Sequence, residues 1–154
     1  LDEPSARALD LTEGDVARGD WIVPLAALLV RPHAWLERPG KTGVALAPTD
    51  DPVTLSPHFT ELATITVAFP AFVDGRGYSI AATLRRLGYA GELRAVGDVG
   101  RDQLVELERV GFDAFELRPR EDAEAVLAAF GVFHDAYQAN ADEPQPLFRR
   151  RAGR

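Results

Sequence analysis

The sequence contains no cysteine and no methionine. Without cysteine there is no disulfide framework, no thiolate nucleophile, no Cys-ligated zinc and no Cys-bound iron–sulfur cluster. Without methionine, Leu1 is not an initiator, and the expectation is a trimmed chain. Lysine is almost missing as well. Lys41 is the only one, the other cations being arginines, so any mechanism that needs a lysine must use it. No apolar run approaches the roughly 20 residues of a membrane span; the one through Pro24 to Val30 stops at Arg31 and Pro32. No secretory signal is visible, and the expected setting is the cytosol. Positive charge is in deficit: 17 Lys plus Arg stand against 24 Asp plus Glu, a net charge of −7. That balance argues against a general nucleic-acid binder, which needs a basic face. Only Arg149, Arg150 and Arg151 form a local basic run.

What is present is ordinary for a globular domain. A chain of 154 residues with 46% hydrophobic content fits one domain with a real core. Residues 1–42 read as an N-terminal arm with a short helix, 43–139 as an α/β core, and 140–154 as an extended basic tail. In the arm, Leu9 and Leu11 alternate with polar neighbours, as in a short strand or an ordered arm. Pro24 suits a first helical position before Leu25 to Val30, and residues 31–42 read as loop. Val44 to Ala47 reads as a buried strand. Ser56-Pro57 offers a cap for a helical turn from His58 to Leu62.

A period then sets in. Thr64 to Phe69 is rich in strand formers. Tyr78 to Leu87 carries Ile80, Leu84 and Leu87 on one helical face and stops at Gly88. Leu93 to Val96 is a strand, and Arg101 to Val110 a helix stopped by Gly111. Ala114 to Leu117 is a strand, Glu121 to Phe130 a helix, and Val132 to Tyr137 a further strand. Short apolar strands alternating with amphipathic helices predict an α/β fold with a mostly parallel sheet and right-handed crossovers. Five strands are too few to close an eight-stranded barrel. An open doubly wound sheet and a half-barrel layer both fit this order.

Ligands of parallel sheets sit at the carboxyl ends of the strands. The segments after the strands bring Asp74, Arg76, Asp98, Arg101, Asp102 and Arg118 toward one edge. Asp74-Gly75-Arg76-Gly77 precedes a helix N-terminus, where freed N–H groups, the helix dipole and Arg76 suit an anion or phosphate. Gly75 and Gly77 also open a G-x-G-x-x-G pattern, and Asp98 follows at about the spacing of a ribose-binding acid. Against a nicotinamide dinucleotide, Ile80 occupies the third glycine position and the loop after Phe69 is long. In the second candidate, Gly97 to Asp102, Asp98 or Gly100 can cap a helix, and Arg101 can pair with Asp98 or Asp102. A plain reading of both loops as helix caps and solvated turns competes with a functional edge.

Other motifs fail on context. Gly40-Lys41-Thr42 lacks the earlier glycine of a P-loop, because Trp35 stands there. His33, His58 and His134 show no metal-ligand spacing, and no metal site is expected. No serine has a G-x-S-x-G setting. In the tail, Leu147 and Phe148 followed by Arg149, Arg150 and Arg151 read as a solvated arm or as a docking peptide for an acidic partner.

The run FPAFVDGRGYSIAATLRRLGYAGELRAVGDVGRDQLVELERVGFDAFEL, from Phe69 to Leu117, resembles the signature stretch of the bacterial family called domain of unknown function 934 (DUF934). The tail YQAN…PLFRRR resembles that family's ending. Members are encoded beside assimilatory sulfite reductase and are described as oxidoreductases involved in sulfite reduction. The resemblance implies a role in sulfate assimilation and assigns no catalytic residue or cofactor. A chain without cysteine does not hold the iron–sulfur cluster of such a reduction, so the expectation is an accessory partner of sulfite reductase or its electron donor. A nucleotide-dependent oxidoreductase and a small-anion-binding module are the alternatives.

Overall fold

The computed structural model describes residues 19–116 together with 145, 146 and 149. Among the described residues, five parallel strands run β1 (Trp21–Pro24), β2 (Thr42–Leu46), β3 (Leu62–Phe69), β4 (Glu92–Gly97) and β5 (Ala114–Phe115). Their order across the sheet is their order in sequence. A doubly wound sheet needs a reversal of strand order, and these strands show none. They follow the order of a half-barrel layer, in which right-handed crossovers place successive helices on the same face.

The registers explain why these strands are apolar at alternate positions. Val23, Val44, Ile65 and Leu93 lie side by side across four strands, and Leu46, Val67, Ala95 and Phe115 form the next row. All but the half-buried Phe115 are buried. Against this face pack α1 (Leu25–Val30), α3 (Arg76–Arg86) and α4 (Leu104–Val110), contributing Leu25 and Leu28, then Ile80, Ala81 and Leu84, then Leu104 and Leu107. The opposite face carries small and polar residues: Gly43, Ala45, Thr64, Thr66, Glu92 and Arg94.

Several local expectations need correction. Among the described residues the first strand is Trp21–Pro24 rather than the one at Val44, because Val23 pairs beside Val44 and is buried. Residues 31–42 are not all loop. Pro32 opens the short helix α2 (Pro32–Leu36), its fixed φ suiting the first turn, and Trp35 inserts into the core, with its indole N–H donating to the carbonyl of Ala27 at 3.2 Å. The turn expected at His58 to Leu62 is present, its Glu61 N–H donating to the His58 carbonyl at 3.1 Å, but it continues an unexpected 3-10 segment over Pro52–His58. Its cap is Asp51, whose carboxylate accepts the Val53 N–H at 3.0 Å. Asp51-Pro52 and Ser56-Pro57 are equivalent start signals, and burial of Leu55 selects the first. Both glycine stops hold: Gly88 and Gly111 have φ of +96° and +112°. The Leu9–Leu11 alternation, the Glu121–Phe130 helix and the Val132–Tyr137 strand lie outside the described residues.

Candidate functional site

The ends of β3 and β4 are tied together before any loop begins. Gly97 has φ of +100°, and a Cβ there would meet the Phe69 carbonyl oxygen at 2.5 Å. That close approach lets the Asp98 N–H donate to the same oxygen at 2.7 Å. From this base the Asp98 carboxylate reaches across and accepts the N–H of Phe72 at 2.8 Å. The carbonyl of Phe72 accepts from the Gln103 side-chain amide at 3.2 Å. Gln103 is buried, and its other amide atom accepts the Gly100 N–H at 3.1 Å. Phe72 is therefore held on both backbone polar groups by residues of the next βα connection.

The clamp fixes the backbone and leaves the side chains outside. Phe72 is 45% exposed and Val73 88% exposed. The loop closes behind them through the Asp74 N–H, which donates to the Ala71 carbonyl at 2.9 Å.

Asp74 and Arg76 bind chiefly each other. The Arg76 guanidinium donates to both carboxylate oxygens of Asp74, from Nε at 2.9 Å and from Nη2 at 2.7 Å. The Arg76 backbone N–H donates to the same carboxylate at 3.1 Å. The fork of Arg76 holds the Asp74 carboxyl below its ordinary range. The geometry suited to an external anion is thus used by an internal one. Gly75 lies at φ −80° with open space where a side chain would begin, so its backbone does not require glycine. Gly77 is required for packing, because a Cβ there would lie 2.3 Å from the Phe69 ring.

Of the two caps that the sequence offered, Asp98 and Gly100, Asp98 serves Phe72. Gly100 caps instead, through its carbonyl, which accepts the Gln103 N–H at 3.0 Å. Arg101 and Asp102 stand exposed on the 3-10 turn Arg101–Gln103. Among the described residues no ion pair joins Arg101 to Asp98 or Asp102. Beside this turn Tyr78 is half-buried. Burial pushes its phenol up; a hydrogen bond with Gln103 opposes that shift, and the carboxylates of Glu106 and Asp102 add to it.

Arg118, Leu147, Phe148, Arg150 and Arg151 lie outside the described residues. Arg149 is exposed, and its N–H donates to the Pro146 carbonyl at 2.9 Å. Among the described residues no group of three His, Asp or Glu side chains is placed to hold a metal ion, and no helix is long and apolar enough to cross a membrane.

Three participants escaped the sequence reading. Gln103 was signalled by Gly100-x-x-Gln103, the spacing of a capping box with glycine at the cap. Phe72 and Val73 were signalled by apolar residues inside a loop bounded by Pro70 and Gly75. No curated protein matches the chain. The model of DUF934, a bacterial protein family of unknown function, matches residues 43–148, a span that contains the whole β3–β4 edge, and the chain belongs to that family.

Proposed function

We propose that this protein is a cytoplasmic accessory factor of assimilatory sulfite reduction that docks onto sulfite reductase or its electron donor. The observation that carries the docking part is Val73, 88% exposed on a loop held by Asp98 and Gln103. Apolar side chains on a fixed backbone suit a protein contact, because little ordering entropy is lost on association. The pathway rests on the family resemblance, and the absence of cysteine favours a partner over the cluster-bearing redox centre.

Oxidoreductase chemistry at a nucleotide, with Gly75, Arg76, Gly77 and Asp98 around it, has less support. Asp98 is committed to the Phe72 N–H, and among the described strands the order has no reversal to open a crevice. Anion binding at Arg76 competes with the Asp74 fork. The tail, with Arg149 exposed, is a second docking element of the same proposal.

The test is co-purification of the full chain with purified sulfite reductase and with its electron donor at low salt, alongside a chain lacking Pro144 to Arg154. Retention of either protein supports the proposal. No retention by either chain overturns it.

A further inference from the structure

We propose that the free edge of the sheet, β1 together with α1, is an interface through which two copies of this chain pair about a two-fold axis. The inference does not rest on the pathway reading, since it concerns another edge of the sheet and no partner but the chain itself.

The edge lacks charge. From Trp21 to Val30 ten residues pass without a charged side chain, in a chain of which 27% is charged. Among the described strands β1 pairs only with β2. The Trp21 N–H donates to the Lys41 carbonyl at 3.0 Å. In a parallel ladder Trp21 and Val23 therefore turn their backbone groups inward, and Ile22 turns its N–H and carbonyl outward. Edge strands are usually blunted by charge or by proline. Here Pro24 removes the next outward N–H, but no charge protects Ile22, which is 44% exposed.

The helix α1 extends this surface. Every residue of Leu25–Val30 is apolar, and a helix apolar all round is ordinarily covered all round. Leu25 and Leu28 are buried on the sheet, and the Ala27 carbonyl accepts the Trp35 indole N–H. Ala26, Leu29 and Val30, at i, i+3 and i+4, share a flank that stays exposed, Val30 at 77%. With β2 and Trp35 on one side of α1, that flank lies on the side of the free edge.

A second copy fits this edge better than a foreign strand does. A strand alone finds one complete backbone residue to bond and leaves the α1 flank bare. A two-fold axis normal to the sheet at Ile22 serves both. The two Ile22 residues exchange N–H···O bonds as an antiparallel pair, and both helix layers stay on one side, so the two α1 flanks meet over the seam. Charge agrees with this arrangement. The axis sets the entry end of each sheet beside the exit end of the other. Arg38 and Lys41 stand with Asp20 at the entry end, and Asp50 and Asp51 at the exit end. Among the described residues none of these five is in an ion pair. The cations of one copy are thus brought to the end that carries the aspartates of the other, while the uncharged seam lets two chains of net charge −7 meet without opposing like charges. Six exposed apolar residues a side fall short of the roughly 20–30 of a standard interface, so the dimer is reversible.

Sedimentation velocity of the full chain from about 1 μM to about 1 mM, a range that spans weak association, should show the mass rising from one chain to two. Val30→Glu should weaken the dimer at least tenfold with its melting temperature unchanged. Lys41→Glu should weaken it more than Arg101→Glu, which changes the net charge equally on the turn after β4. Because the chain has no cysteine, Ile22→Cys and Val73→Cys each carry a single thiol. A short bifunctional thiol reagent should join two chains through position 22 and not through position 73. A natural chain that stays monomeric throughout overturns the proposal. So does a dimer indifferent to Val30→Glu, or one joined as readily through position 73 as through 22. Dimerisation only after removal of residues 1–18 would show that the chain covers its own edge, and overturns it too. Equal effects of Lys41→Glu and Arg101→Glu overturn the entry-to-exit charge pairing.

Discussion

The guanidinium of Arg85 donates to the carboxylate of Asp113 at 2.8 Å, joining the end of α3 to the entry of β5. The same side chain donates to the carbonyls of Gly111, Tyr89 and Gly91 at 2.8–2.9 Å and lies over the Tyr89 ring. Asp113 in turn accepts the Leu93 N–H at 2.8 Å. One planar fork therefore gathers the turn after α3, the start of β4 and the turn after α4. Gly111 makes room for it, because a Cβ there would meet Arg85 Cγ at 2.4 Å.

Replacing Arg85 should be costly although the residue is remote from the β3–β4 edge. Arg85→Ala leaves three carbonyls without this donor and is expected to lower stability by about 2–3 kcal/mol. Arg85→Lys keeps the charge but not the fork, and should recover only part of that loss. Urea unfolding of the three chains measures this. A loss below about 0.5 kcal/mol for Arg85→Ala, the range of ordinary surface changes, would show that the fork does not hold the turns.

The two glycines of Asp74-Gly75-Arg76-Gly77 should behave oppositely. Gly77→Ala drives a methyl group into the buried Phe69 ring, which is itself packed against Tyr78 and Phe112. A destabilisation of about 1–3 kcal/mol is expected from overpacking. Gly75→Ala meets open space at a helical φ and should be neutral or stabilising by up to about 1 kcal/mol. Thermal melts of the two variants separate the cases. Equal effects would mean that Gly77 is not a packing requirement.

Asp74 should titrate below the ordinary Asp value of 3.8, because hydrogen bonds from Arg76 favour its charged form. A carboxyl with a lowered folded-state pKa contributes stability that is present above the unfolded value and fades as pH falls through the folded one. The Asp74–Arg76 contribution should thus be intact at neutral pH and vanish only in acid below 3.8. A carbon-13 titration of the Asp74 side chain measures the midpoint, and Arg76→Ala should move it upward. No movement would show that Arg76 is not the fork holding Asp74, and would make Arg76 an anion-binding candidate again.

Legibility in the sequence differed by element. The helix stops at Gly88 and Gly111 were readable because a left-handed terminus is a local demand that glycine meets. β1 was not, because Trp21-Ile22-Val23 is short and ends in Pro24, which also suits a helix start. Nor was the destination of the Asp98 carboxylate. Capping its own helix and reaching Phe72 are equally allowed by composition, and the choice depends on how the end of β4 registers against β3.

By itself, the sequence determined the alternation of strands and helices, the apolar rows that form the core, and the exclusion of any cysteine chemistry. These are consequences of side-chain type and spacing, which act within a few residues. Tertiary structure alone decided the sequential strand order and the partners of Asp74, Arg76, Asp98 and Gln103. It also decided that Phe72 and Val73 stand outside. The bonds from Phe72 to Asp98 and Gln103 span 26 and 31 residues. Contacts that distant are fixed by the register of β3 against β4, which no local pattern encodes.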